Sequence, residues 1–231
     1  MERFEQAPGK VNRAEEAARM LKVDVWFDLI CPWCWIGKHL LDQALEHLAQ
    51  SDPGVEIQTA WHSVQLIPQV PAQGWPFDAF YEHRLGSRDA MMARRAQVQA
   101  AARRAGVPID YTRLSIFPNT AAAHGLLAAG AMQLAPPDFE GLLTRLLEGY
   151  FVRGENLGDQ AVLAAVVAEY GVRFDMQEAA SWNQKEDMPA SGVPFFLIDG
   201  IEALSGAQPA EVLWAAMRRA LARSGSLPAP A

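Results

Sequence analysis

Cys31 and Cys34 stand in the stretch Asp28-Leu29-Ile30-Cys31-Pro32-Trp33-Cys34-Trp35-Ile36-Gly37, and the 231-residue chain holds no other cysteine. A thiol attacks a disulfide as its thiolate. A cysteine at the start of a helix faces free N–H groups and the positive end of the helix dipole, both of which favour that anion. The spacing lets both sulfurs meet over one helical turn. It predicts a pair that cycles between dithiol and disulfide, with Cys31 the exposed, attacking sulfur and Cys34 the shielded sulfur that resolves a mixed disulfide. Pro32 fits a first helical turn and supplies no N–H, and Trp33 adds apolar surface beside the sulfurs. The competing use, half of a zinc site, needs four ligands. There is no second C-x-x-C and the five histidines are scattered, so no metal is expected.

The flanking pattern supplies the elements such a pair needs. Val23, Val25, Phe27 and Leu29 alternate with Asp24, Trp26, Asp28 and Ile30, which predicts a central strand over 23–30. From Cys34, Ile36, Leu40, Leu41, Ala44, Leu45 and Leu48 share one helical face, and Ser51-Asp52-Pro53-Gly54 ends the run. Val55, Ile57, Thr59 and Trp61 then predict a second strand. Strand, helix, strand implies parallel strands, both ending at the edge where open α/β sheets bind ligands. His62-Ser63 should therefore neighbour Cys31, which makes His62 a candidate for proton transfer or substrate contact.

Residues 68–187 read as helical, in segments from Pro76, from Asp89 to Ala105, from Asn119 to Met132, from Pro137 to Phe151, from Gln160 to Tyr170 and from Asp175 to Lys185. No linker brackets them, so they read as an insertion into a unit formed by 23–67 and 188–223. An N-terminal extension, 1–22, contains a short helix from Arg13 to Leu21, and 224–231 is a frayed tail. Within these elements Asp28 reads as an ordinary strand carboxylate and Lys38 and His39 as a solvated helix face. Arg94, Arg95, Arg103 and Arg104 read as surface, and Trp75, Phe77, Phe80 and Tyr81 as core.

The sheet resumes at Val193–Ile198, turns at Asp199-Gly200 and returns over Ile201–Leu204. A last amphipathic helix starts at Pro209, with Val212, Leu213, Ala216, Met217, Ala220 and Leu221 inward. A proline opening a central strand needs a reason. A cis Val193–Pro194 bond, turning the Val193 backbone toward a ligand, provides one. With this strand antiparallel to the first, Val193 would offer its N–H and C=O beside Cys31 to an extended peptide or glutathione.

Half of the residues are apolar, which predicts a sizeable core, and the net charge of −7 argues against general nucleic-acid binding. No apolar run approaches the roughly 18 residues of a membrane helix. Met1-Glu2-Arg3-Phe4-Glu5-Gln6 lacks the apolar heart of a secretory signal. With no cysteines spare for structural disulfides, a cytoplasmic protein is expected.

Several motifs in order resemble the FrnE-like branch of the DsbA family of thioredoxin-fold proteins. They are F-D-x-x-C-P-W-C-W-I-G-K, G-V-P-F-F-L-I-D-G and S-G-A-Q-P. Pro118 to His124 resembles that branch's P-N-T-x-x-A-H, and Phe151 to Asp159 with Ala161-Val162-Leu163 resembles its Y-F-x-x-G-x-x-I-G-D-x-x-V-L. The resemblance spans most of 23–221. It implies an α/β thioredoxin fold, a four-stranded mixed sheet carrying a large all-helical insertion. It also implies redox activity at Cys31 and Cys34, a cis-proline at Pro194, and Asn119 and His124 on the active-site face of the insertion. Pro32-Trp33 differs from the Pro-His of DsbA itself, and His62 stands where related sequences more often carry arginine.

The expected function is thiol–disulfide exchange with proteins, peptides or glutathione. The substrate would meet Pro32, Trp33, His62, Asn119, His124, Val193 and Pro194. The redox disulfide would serve in place of a bound cofactor, in a monomer or homodimer. Hydroxychromene-carboxylate isomerases and kappa-class transferases use the same scaffold with a serine or similar donor at the position of Cys31. A glutathione-dependent isomerase or transferase is therefore the alternative, and a binding surface on the insertion a third expectation.

Overall fold

The computed structural model describes residues 19–175 and 191–224. All but Asp175 of the helix expected over 175–185, all but Ser224 of the tail and most of the N-terminal extension lie outside the described residues. In chain order the elements are β1 (Arg19–Phe27), α1 (Pro32–Ser51), β2 (Val55–Ser63), β3 (Trp75–Pro76), α2 (Phe77–Leu85), α3 (Arg88–Ala105), β4 (Ile116–Phe117), α4 (Ala121–Gln133), α5 (Pro136–Phe151), α6 (Gln160–Tyr170), β5 (Phe195–Ile198), β6 (Glu202–Ser205) and α7 (Ala210–Ser224).

The main sheet has the order β2-β1-β5-β6. β2 runs parallel to β1, with Trp26 opposite His62 and Phe27 opposite Ser63. β5 runs antiparallel to β1, with Trp26 opposite Phe195, so the start of β5 meets the end of β1. The alternation of β1 turns Leu21, Val23 and Val25 into a core completed by Leu41, Ala44 and Leu48 of α1 and Leu213 and Met217 of α7. The first turn of α1 enters a second core instead. There Cys34 and Ile36 join Phe27 and the buried leucines of α4 and α5. Helix α1 is thus shared by both cores, and its N-terminus sits where the sheet meets the helical layer.

Most helix ends follow local signals. Asp159 accepts the Ala161 N–H ahead of α6, Ser87 accepts that of Ala90 ahead of α3, and Gly106 and Gly171 close α3 and α6 in the left-handed conformation. Asp199 (φ 49°) and Gly200 (φ 68°) both take the positive φ that a two-residue hairpin demands.

Six expectations need correction. Arg19–Leu21 are strand, not helix, because Leu21 continues the inward alternation of Val23 and Val25. β1 ends at Phe27 rather than Ile30, since the Cys31 N–H bonds back to the Asp28 carbonyl (3.1 Å) and closes a turn. The segment between β2 and β5 is not all helical. Trp75–Pro76 pair antiparallel with Ile116–Phe117, a ladder too short to leave a periodic signal. Lys38 is buried, because α5 brings Glu140 within 3.3 Å of its ammonium, while Asp42 lies at 2.9 Å. Val212 is exposed, and α7 begins after Pro209, whose carbonyl accepts the N–H groups of Val212 and Leu213.

Candidate active site

Cys31 is the N-cap of α1, with extended backbone (φ −86°, ψ 112°). Its carbonyl accepts the N–H of Cys34 (2.9 Å) and of Trp35 (3.3 Å). Its thiol donates to the carbonyl of Val193 at 3.8 Å. The Val193–Pro194 peptide bond is cis. A Cβ on Gly37 would stand 2.9 Å from Pro194 Cγ and 3.3 Å from Phe196 Cζ, so α1 lies this close to Pro194 because residue 37 has no side chain. Both cysteines are free thiols. Cys34 is 3 % exposed, and its burial first, then its hydrogen bond with Cys31, push its pKa well above the usual thiol value. Cys31 is not the open sulfur the sequence suggests. It is only 8 % exposed, because α2 and α3 close over it, and it faces a cavity rather than bulk water.

Beneath the dithiol lies a pair of fully buried titratable side chains. Asp28 Oδ1 sits 3.1 Å from His124 Nε2, on α4, and accepts the Ile30 N–H at 3.4 Å. Asp28 Oδ2 accepts the Leu66 N–H at 2.9 Å. The turn after β1 swings Asp28 inward, so it is not an ordinary strand carboxylate. It ties the cysteine turn to the 64–70 loop and to α4. The findable signal was His124 itself, since a histidine among alanines on a buried helix face needs a polar partner.

The other expected site residues separate into two groups. Pro32, Trp33, Val193 and Pro194 gather around Cys31. His62 lies on β2 and turns to the sheet face, 2.7 Å from Asp24 Oδ1 and stacked on Trp26 at 4.4 Å. Burial raises the Asp24 pKa, but hydrogen bonds from His62 and Lys22 outweigh it and hold the carboxyl below its usual value. Asn119 donates to the Val70 carbonyl (2.6 Å) and accepts from Gln65 (3.1 Å) and the Ala121 N–H (2.9 Å), pinning the 64–70 loop to α4. Neither His62 nor Asn119 lines the cavity at Cys31. Among the described residues no cluster of His, Cys, Asp and Glu could hold a metal ion, and no helix is long and apolar enough to cross a membrane.

The cavity has a volume of about 290 Å³ and is walled by Phe77, Phe80, Tyr81, Val98, Tyr111 and Phe117. Arg84, Arg94 and Arg95 stand along it, so the two arginines of the 94–95 run are cavity residues rather than plain surface. Arg95 lies over the rings of Phe77 (5.1 Å) and Tyr111 (5.4 Å). Burial pushes the Tyr111 pKa up to about 12, and raises that of Tyr81 further. Helix periodicity alone does not reveal this wall, which exists because α2 and α3 fold over the start of α1.

A C-x-x-C pair capping the helix after a central strand, against a cis-proline that opens the neighbouring strand, defines a thioredoxin-fold dithiol centre. The chain belongs to the DSBA-like thioredoxin domain family, which it matches over residues 22–218. It is similar to a probable DsbA oxidoreductase, SCO1869, from Streptomyces coelicolor (TM-score 0.75, 25 % identity, 91 % of this chain and 93 % of that one). The cytosolic disulfide reductase DsbM from Pseudomonas aeruginosa, solved with GSH, shares the fold (TM-score 0.55, 18 % identity, 89 % of this chain and 98 % of that one). In sequence, the chain is 24 % identical over 205 residues to the uncharacterized protein YwbO of Bacillus subtilis (strain 168), covering 82 % of this chain and 92 % of that protein.

Proposed function

We propose that the protein is a cytoplasmic thiol–disulfide oxidoreductase of the FrnE-like kind, exchanging disulfides with proteins, peptides or glutathione through Cys31 and Cys34. One observation carries the reading. The Cys31 sulfur caps α1, faces the cavity and the Val193 carbonyl, and has Cys34 as a hydrogen-bonded partner. Cys31 attacks a substrate disulfide and forms a mixed disulfide. Cys34 then attacks Cys31 and releases the second substrate thiol. Pro32 and Trp33 flank the incoming sulfur, and the Val193 backbone pairs with the substrate chain. A glutathione-dependent isomerase would need no resolving thiol, and the enclosed Cys34 bonded to Cys31 favours exchange over isomerisation.

The test is the Cys34→Ser variant. Exposed to a disulfide substrate, it should accumulate a mixed disulfide at Cys31, seen by intact mass, whereas the parent protein proceeds to an internal disulfide. Equilibration of the parent in glutathione buffers reads its reduction potential, with about 30 mV worth roughly 1.4 kcal/mol. Failure of Cys31 and Cys34 to pair in oxidising buffer ends the proposal.

A further inference from the structure

Building on the reading of Cys31 as the attacking sulfur, we infer that the cavity beside it selects small disulfides bearing carboxylates on a compact aromatic or apolar body. Charge is the first support. The chain carries −7 overall, yet among the described residues the cavity wall holds Arg84, Arg94 and Arg95 and no carboxylate. Arg95 is committed to Asp78. Arg84 and Arg94 are exposed and make no ion pair among the described residues. Arg94 bonds Gln97 (2.8 Å), with its guanidinium 5.9 Å from the Trp33 ring beside Cys31. Among the described residues, two cations of an acidic protein thus stand without a counter-charge at the mouth of the reactive site.

Shape and polarity agree. A volume of about 290 Å³ lies at the small end of the roughly 300–1,000 Å³ typical of ligand pockets. The aromatic wall suits a flat or compact body better than a long chain. The phenols of Tyr81 and Tyr111, kept protonated by burial, have no hydrogen-bond partner for their oxygens among the described residues and can donate to an anion. A second, more open cavity of about 610 Å³ shares Phe80 and Arg84 with the first and among the described residues also has no carboxylate in its wall, so Arg84 is reached from both sides.

In the exchange the Cys31 thiolate attacks one sulfur of the bound disulfide. The substrate S–S bond breaks, and one half leaves as its thiolate. Cys34 passes its proton to the departing thiolate and attacks the Cys31 sulfur, the Cys31–substrate S–S bond breaks, and the second half leaves as its thiolate. The substrate gains two electrons, and the protein dithiol loses them in forming the Cys31–Cys34 bond.

The test compares dithiodibenzoate with its neutral diamide in single turnovers of the reduced full-length protein. Each rate is divided by that of free dithiothreitol with the same probe. Charge-assisted contacts predict a preference for the acid on the order of tenfold. The double variant Arg84→Gln, Arg94→Gln should bring the acid-to-amide ratio close to one, and added salt should shrink it in the parent. Equal normalised rates for acid and amide, or a ratio untouched by the double variant, would overturn the inference. So would a neutral peptide disulfide that outpaces the acid, which would assign the cavity to polypeptide side chains. Reaction with none of the probes would remove the exchange reading as well, a result distinct from reaction without charge preference.

Discussion

Cys34 sits one turn inside α1 with its pKa raised by burial and by Cys31, and this has a consequence for stability. A raised value means that the folded state keeps a proton that the unfolded chain releases. The stability this contributes is fully present below the ordinary thiol value and is lost as pH rises from there through the raised folded value. Tyr81, Tyr111 and Tyr150 are raised by burial too and add the same trend at higher pH. The reduced protein should therefore lose urea midpoint progressively as pH rises above about 8.5. The internal-disulfide form, with no Cys34 proton to lose, should lose less, and equal losses would show that Cys34 has no part in the effect. Asp28 and His124 set a second expectation. Removing one partner of a buried hydrogen bond leaves the other unsatisfied at about 1–3 kcal/mol, so His124→Ala should cost at least that much in urea unfolding, and the isosteric Asp28→Asn less. Asp28 was misread from sequence because the alternation of β1 runs smoothly through it. The turn that redirects it depends on a Cys31 N–H bonding back to its carbonyl, which leaves no mark in the residue pattern.

At the level of elements, the close approach of α1 to Pro194 rests on Gly37. In most helices Gly→Ala stabilises by roughly 0.5–1 kcal/mol. Here the added methyl would meet Pro194 Cγ at 2.9 Å, and overpacking of that sort costs about 1–3 kcal/mol. Gly37→Ala should therefore lower the unfolding midpoint and slow disulfide exchange together, because α1 carries Cys31 away from the Val193 carbonyl as it shifts. A midpoint that rises would mean that Pro194 yields freely. The elements that the sequence made legible are those written in local terms. Asp159 and Gly171 bracket α6, Asp199-Gly200 makes the hairpin, and the apolar stripe of α1 marks its buried face. Those it hid depend on a distant partner. Lys38 reads as solvated until α5 brings Glu140 to it, and β3 exists only through its pairing with β4.

For the molecule as a whole, the question is whether the sheet layer and the helical layer are one folding unit. The ordered motifs were enough to foresee the thioredoxin sheet and a helical layer over it, but the join between them is tertiary. It is made by Phe27 from β1 and Cys34 and Ile36 from α1, which pack in one apolar cluster with Leu126, Leu143, Leu146 and Tyr150. The same α1 gives Leu41, Ala44 and Leu48 to the core under α7. If the helical layer opened alone, it would strip the cover from Phe27 and from both sulfurs. If the sheet opened alone, α1 would have to leave the helices. Unfolding should therefore be one transition, with tryptophan fluorescence and backbone circular dichroism tracing the same urea curve. Leu146→Ala, in the helical layer, and Leu213→Ala, in the far core, should each cost about 2–5 kcal/mol and move that single curve. Two resolved transitions, with Leu146→Ala shifting only one of them, would show that the layers are separate units and that the dithiol can be uncovered without global unfolding. Coincident curves would mean that the two layers unfold together, so that the dithiol is not uncovered by a populated intermediate that has lost its helical layer.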